Sequence, residues 1–480
     1  MEGQAEFIGE FDRHARGPVT GARLKRALAA FGLTLRSVGS AEAGDRPAMD
    51  RAAAELDHRL RHGGIALVTG PSGAGKSSLL AALARRAQGA GERVVHARAL
   101  PGPGDDRAMV ELFVAPPEGD AGSLRLLAGV GLGDAVLFPR PARSLSDGQR
   151  ARLGIALAFD AALAQTSHRR PVLVLVDELG GGLDDLTALG VSTGIRRCVD
   201  RAAERRSIRV VCATPRHDLE CALGPDMLLR IDAAGRAGFA ALDAPPAQQM
   251  PRIEAGTLAD YHPLARWHYR AGPPAVPRRV LRAVHERAGV VGVLMTAMPT
   301  LNARWRSIVW PDRYEGLAPR ERARRLNDEL RCIARVIVDP RVRATGVATA
   351  LVRAYLSDPE TPGTEAVAAM GAACPFFARA GMREYALPPA PADARLLDAL
   401  ERAGLEPDDL VDVDAAAARV GACPLAVREL RLWAGASRAT RGAAGTSPRR
   451  GLSELIGLAA RRVGCRPRVY AAVIGRGETR

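Results

Sequence analysis

The sequence predicts an α/β protein built from two consecutive domains, and three observations carry that expectation. Short aliphatic runs, IALVTG (65–70), PVLVLVDE (171–178) and SIRVVCAT (207–214), alternate with helix-forming stretches. That is the pattern of a parallel sheet whose central strands are buried on both faces. A second α/β pattern runs from about 258 to 387, after the proline-rich, aperiodic passage DAPPAQQMPRIEAGTLAD. Finally, the chain has 480 residues, beyond the roughly 250–300 over which a single hydrophobic core grows.

These patterns divide the chain into an N-terminal extension (1–50), a first domain (51–240), a linker (241–257), a second domain (258–390) and a C-terminal helical extension (391–480). Within the extension, 395–430 reads as helix and 435–451, GASRATRGAAGTSPRRG, as a flexible loop; the last segment, RPRVYAAVIG, can return as a strand. A hydrophobic fraction of 47% and a mean hydropathy of -0.05 belong to a globular chain. No stretch reaches the roughly 20 apolar residues that span a bilayer, and the first residues hold no apolar secretory core. The seven cysteines are scattered without a C-x-x-C pair, which suits free thiols in a reducing cytoplasm rather than disulfides or a zinc ribbon. The expectation is a cytoplasmic protein with no membrane partner.

The net charge of +15 suits an anionic partner such as nucleic acid. Arginine supplies nearly all of it, however, and runs such as RERARR (320–325) also read as ordinary solvated helix faces. Both readings stay open.

The first domain holds the chemistry that can be read most directly. GPSGAGKS spans Gly70, Pro71, Ser72, Gly73, Ala74, Gly75, Lys76 and Ser77, with Ser78 next, and lies between an aliphatic strand and the helix-forming SLLAALARRA. Its glycines let successive backbone N–H groups turn toward a β-phosphate, and the helix start adds partial positive charge. Lys76 reaches the β- and γ-phosphates, and Ser77 offers a hydroxyl to Mg²⁺. Only two lysines occur, Lys25 and Lys76; position 76 keeps a compact ammonium where arginine has replaced nearly every other cation, as a point-charge site requires. Downstream, Leu145, Ser146, Asp147, Gly148 and Gln149 open a helix whose positive end suits a γ-phosphate. The strand ending in Asp177 and Glu178 offers a carboxylate for Mg²⁺ and another to orient or deprotonate the attacking water. GGLDD (181–185), with Asp184, follows.

In this order and spacing, these segments resemble the ABC ATPases over about residues 50–240. The resemblance implies ATP and Mg²⁺ as cofactors, and a homodimer in which the signature LSDGQ of one chain closes over ATP on the phosphate loop of the other. Three departures stand out: Pro215 occupies the place of the family's histidine, while His217, two residues on, reads either as reaching the γ-phosphate or as a surface-loop histidine; no glutamine stands in the Q-loop region RALPGPGDD; and no aromatic residue precedes Lys76 at the usual distance to stack on adenine.

In the second domain, ARVIVDPRVRATGVATALVRAYL (334–356) joins an aliphatic strand, a loop and a helix, with small residues where a backbone would approach a diphosphate. This stretch resembles the acyl-CoA motif of the GNAT N-acetyltransferases, whose Q/R-x-x-G-x-G/A pattern fits Arg343, Gly346 and Ala348, and PFFARAGMREY (375–385) is similar to the family's closing helix. The resemblance covers about 260–390. It implies acetyl-CoA or another acyl-CoA held by Val336, Val338, Arg343, Ala344, Thr345, Gly346, Val347 and Ala348. The chemistry needs a base, for which Glu365 is the candidate, and ideally an acid for the thiolate; Phe377 stands where many members carry a tyrosine acid. His268 reads either as a lining of the acceptor site or as a structural histidine, and His58 and His62 stand one helical turn apart with no third ligand nearby, so no metal beyond Mg²⁺ is expected.

Two functions are consistent with this pattern: an ATPase coupled to an acyl-CoA-dependent N-acyltransferase acting on nucleic acid or a nucleic-acid-associated substrate, or an ATP-switched nucleic-acid-binding or repair-type module with a non-catalytic second domain.

Overall fold

The computed structural model describes residues 22–30, 46–97, 100, 102, 104–114, 120–166, 171–203, 207–242, 250–268, 272–371, 374–436, 451–464 and 467–473. The chain forms two compact units: one of residues 1–272, 281–293 and 337–351, the other of 273–280, 294–336 and 352–480.

In the first unit, α1 (Ala22–Ala30) and α2 (Arg46–Arg59) precede β1 (Ile65–Thr69), α3 (Lys76–Gly89) and β2 (Arg93–His96). Then come α4 (Asp120–Gly129), α5 (Asp147–Gln165), β3 (Val172–Val176), α6 (Asp185–Ala203), β4 (Ile208–Thr214), α7 (Glu220–Leu223), β5 (Met227–Ile231) and β6 (Ala237–Ala240). The sheet order is β2-β3-β4-β1-β5-β6, parallel except for β6. Alternation explains the uninterrupted aliphatic strands. Ile65 and Leu67, Val174 and Val176, and Val210 and Cys212 enter one core with α5 and α6. Ala66 and Val68, Leu173 and Leu175, and Val211 and Ala213 enter another with α2 and α3. A strand covered on both faces has no polar side to show.

A seven-stranded sheet, order β12-β13-β11-β10-β9-β8-β7, accounts for the remaining strands. These are β7 (Arg252–Ala255), β8 (Pro277–His285), β9 (Gly289–Ala297), β10 (Leu330–Val338), β11 (Gly363–Ala368), β12 (Arg383–Tyr385) and β13 (Arg468–Val473). Between them lie α8 (Leu258–Ala265), α9 (Arg306–Val309), α10 (Pro319–Glu329), α11 (Val347–Ser357) and α12 (Phe376–Arg379). Strand β10 pairs in parallel with β11 only from Leu330↔Gly363 to Ile333↔Ala366; beyond that point the two strands part. The helices α13 (Pro391–Arg402), α14 (Val413–Gly421), α15 (Pro424–Ala436) and α16 (Leu452–Ala459) bury Leu400, Leu410, Leu430, Trp433 and Ile456 in a core of their own.

Two expectations about organisation need correction. The linker 241–257 holds strand β7, antiparallel to β8 from Arg252↔Val284 to Ala255↔Leu281. Within 391–480 the expected final strand forms as β13, but it inserts antiparallel between β11 and β12, so the segment is not a separate helical extension and the second sheet closes only with it. The linker's proline-rich part, most of the 435–451 loop and most of 1–50 lie outside the described residues.

Candidate nucleotide site and the second-domain loop

The turn between β1 and α3 has the shape its glycines allow. Gly73 and Gly75 take φ of 81° and 98°, in the left-handed region that favours glycine, and Gly75 caps α3. A Cβ at Gly70 would stand 2.3 Å from the Ile231 carbonyl oxygen, so that position admits no side chain. Ala74 is buried, whereas Pro71, Ser72, Gly73 and Ser78 face outward. Lys76 is buried, and its Nζ donates to the Gly70 and Pro71 carbonyls at 2.8 and 2.7 Å. An ammonium held inside its own loop is placed for an anion wrapped by that loop.

The Ser77 hydroxyl donates to Asp177 Oδ2 at 2.8 Å. Residues 100 positions apart therefore meet, because β1 and β3 both flank β4 in the parallel sheet and end at the same edge. The Glu178 backbone N–H donates to Asp177 Oδ1 at 3.0 Å. Glu178 itself is exposed, at a φ of 56° that non-glycine residues seldom adopt. A hydroxyl and a carboxylate at this separation form the oxygen donor set that Mg²⁺ prefers, so the residues fit that ion.

Ser146 is the N-cap of α5, in a capping box: its Oγ accepts from Gln149 N–H at 3.3 Å, and Gln149 Oε1 accepts from Ser146 N–H at 3.0 Å. Leu145 is buried; Ser146 and Asp147 are exposed, and Asp147 pairs with Arg150. A Cβ on Gly148 would touch Leu183 at 3.0 Å, so the start of α5 packs on the 182–183 segment. Asp184 accepts from the Thr187 N–H and hydroxyl at 3.1 and 2.6 Å. Burial raises its pKa, but those hydrogen bonds and nearby Arg341 outweigh it and leave the carboxyl below its ordinary range.

His217 is exposed and lies 3.6 Å from Glu220. Arg216 instead ties the turn after β4 to the 183–185 segment, donating to Asp185 at 2.7 Å and to the Leu183 carbonyl at 3.3 Å. Sequence reasoning missed Arg216, and it missed His96. The latter closes β2 opposite Leu175, two residues before Asp177. Burial holds the His96 imidazole below its ordinary pKa, against the pull of the Asp177 carboxylate. The readable signal was the histidine closing the strand before RALPGPGDD.

Over 159 residues the chain is 35% identical to the aliphatic sulfonates import ATP-binding protein SsuB of Delftia acidovorans. Over that stretch it is homologous to ABC ATP-binding cassettes. The match takes in 31% of this chain and 61% of the relative, so the chain spans less than two thirds of the protein it matches. No family model matches. Among solved structures, a dimeric bacterial ABC transporter cassette shares 18% identity at a TM-score of 0.28, over 37% of this chain and 84% of that one. A post-hydrolysis dimer of the same cassette, bound to ADP and Pi, shares 15% at a TM-score of 0.29, over 38% and 87%. The protein cbiO1 of Clostridium perfringens, part of an ABC transporter complex, shares 16% at 0.27, over 37% and 77%. No helix among the described residues is long and apolar enough to cross a membrane.

Further along the chain, Val336 and Val338 lie half-buried on β10, and the 341–346 loop leads into α11. Ala344 and Gly346 take φ of 61° and 95°, Thr345 Oγ1 donates to the Val342 carbonyl at 2.7 Å, Val347 is buried and Ala348 half-buried. Arg343 is turned onto carbonyls, those of Val338 at 3.2 Å, Gly133 at 2.6 Å and Trp267 at 3.4 Å. Phe377 is buried against the Tyr470 ring, with centroids 5.2 Å apart; the Tyr470 hydroxyl donates to Gly371 O and Glu384, and burial pushes its pKa up to about 12.

Glu365 needs correction. It is 1% exposed, and Arg306 grips both carboxylate oxygens at 3.0 and 2.6 Å, with the Trp305 indole N–H at 3.2 Å. A carboxylate enclosed in a bidentate ion pair is a structural strut, not a base within reach of an amine. The error shows only in three dimensions, where Arg306 of α9 closes over the Glu365 carboxylate.

Proposed function

We propose that the cassette binds and hydrolyses ATP with Mg²⁺ and that the chain pairs with a second copy to do so, while the second half binds acyl-CoA for N-acyl transfer. The observation that carries the nucleotide reading is the 2.8 Å bond between Ser77 and Asp177 beside a buried Lys76. The loop and the carboxylate strand form one site. Lys76 would hold the β- and γ-phosphates, Ser77 and Asp177 the ion, and Glu178 the water; bound Mg²⁺ would neutralise charge on the phosphates. Ser146 and Asp147 stand exposed at the start of α5, as residues serving another chain's nucleotide would.

The acyl-CoA reading is supported by the parting of β10 and β11 after Ile333 and Ala366, and by the small-residue loop 344–348 that opens α11. Backbone there can come close to a diphosphate. Bound acyl-CoA would supply a thioester carbonyl for attack by an amine. The charge of +15 supports an anionic acceptor such as nucleic acid.

A second reading is an ATP-switched binding module with an idle second half. It is favoured by Glu365 being locked on Arg306 and by Phe377 at the acid's place. One assay separates the two: acetyl-CoA binding and acyl turnover by the purified chain, with and without ATP, offering nucleic acid, peptide and polyamine acceptors. Transfer that depends on ATP supports the coupled enzyme. Tight acetyl-CoA binding with no transfer supports the idle domain, and a chain that neither binds nor hydrolyses ATP would overturn the cassette reading.

A further inference from the structure

Helix α6 starts beside the proposed nucleotide site and ends against the 341–346 loop, which belongs to the same compact unit. Thr187, Gly190, Gly194 and Arg197 follow one another at spacings of three, four and three, which lines them along one helix face. At the near end, Thr187 holds Asp184. At Gly190, a Cβ would stand 2.0 Å from the Arg341 carbonyl oxygen, and at Gly194, 2.0 Å from that of Gly129; both positions let foreign backbone lie directly on the helix. At the far end, Arg197 Nη1 donates to the Ala344 carbonyl at 2.5 Å. Its Nη2 also lies 3.0 Å from the point where a Cβ on Gly346 would project.

The loop answers along the same line. Arg341 donates to Asp339 through Nε and Nη2 at 3.0 and 2.7 Å, and its Nη1 lies 3.9 Å from Asp184 Oδ1. Arg343 is fixed on the Gly133 carbonyl, in the turn that follows α4. Ala344 sits in a left-handed conformation that an alanine keeps only where its surroundings impose it. Here the surroundings are the Arg197 guanidinium and the face of α6. A loop bonded to Arg197 at Ala344 and laid on Gly190 at the Arg341 carbonyl cannot keep its shape if α6 rotates or slides.

We propose that Arg197 and Arg341 are positioning residues for acyl-CoA: they set the shape of the 341–346 loop from α6, so that the nucleotide state at Asp184 changes the affinity for acyl-CoA. The proposal rests on reading that loop as the acyl-CoA cradle. By linkage, acyl-CoA must then change ATP affinity by the same factor.

The test is titration of the full chain with acetyl-CoA, without nucleotide and with ATP–Mg²⁺, in a Glu178→Gln background that preserves bound ATP. The expected result is a shift in acetyl-CoA Kd of about 5-fold or more, with a reciprocal shift for ATP. Arg197→Ala combined with Arg341→Ala should flatten the shift to within about 2-fold, and Arg197→Lys, which keeps a donor for Ala344, should restore part of it. A Kd that ignores ATP in the parent chain, or an undiminished shift in the double variant, overturns the proposal. Hydrogen exchange at the 341–346 amides is read in parallel. If no acetyl-CoA binds but exchange there changes with ATP and Arg197→Ala removes the change, the acyl-CoA reading falls and the positioning by α6 stands. If exchange is also indifferent to ATP, the positioning falls too.

Discussion

Lys76 and Glu365 show how one side chain takes opposite meanings from its surroundings. Lys76 is buried with its charge turned onto two carbonyls of its own loop, partners that a phosphate can replace. Changing it to alanine removes charge-assisted bonds worth roughly 1.5–3 kcal/mol, so ATP affinity should fall about 10- to 100-fold in equilibrium binding. An unchanged affinity would remove the phosphate-loop assignment. Glu365 is buried with its charge cancelled by Arg306. Removing one partner strands the other, so Glu365→Ala should lower unfolding stability by about 3–5 kcal/mol in denaturant titration. Wild-type stability in that variant would mean the pair carries no structural load.

Among the elements, α5 and α6 carry the arrangement. The capping box that begins α5 orients the exposed Ser146 and satisfies two end groups of the helix. Ser146→Ala should cost about 1 kcal/mol of stability, with a larger fall in ATPase rate than that stability loss explains if Ser146 also meets nucleotide on another chain. Helix α6 tolerates no bulk at Gly190, where the Arg341 carbonyl occupies the place of a side chain. Gly190→Val should therefore destabilise the first unit by about 1–3 kcal/mol or more, read as a lower thermal midpoint. A neutral outcome would show that the loop moves away from the helix freely.

At the scale of the whole chain, the two sheets differ in how they are closed. The first is complete within 65–240, whereas the second needs β13, drawn from beyond the helices of the C-terminal segment. The proposed nucleotide-driven pairing belongs to this scale too. Glu178→Gln should slow hydrolysis and accumulate an ATP-dependent dimer, seen by light scattering with and without ATP. A chain that remains monomeric with ATP would count against a site shared between copies.

What the sequence determined by itself is what short-range physics encodes. The strand–loop–helix at 65–89, the cap at Ser146 and the aliphatic strands are contiguous, and each is specified by neighbours a few residues away. The glycine-rich turn at 70–77 and the loop at 343–348 were legible as local shapes for that reason. Tertiary structure decided the rest. It brought Ser77 to Asp177, placed Arg216 rather than His217 against the 183–185 segment, set His96 beside the carboxylate strand and buried Glu365 under Arg306. It also laid α6 along the 341–346 loop and returned residues 468–473 to the second sheet. Those contacts join positions far apart in the chain, and no local periodicity records which distant partner a side chain will meet.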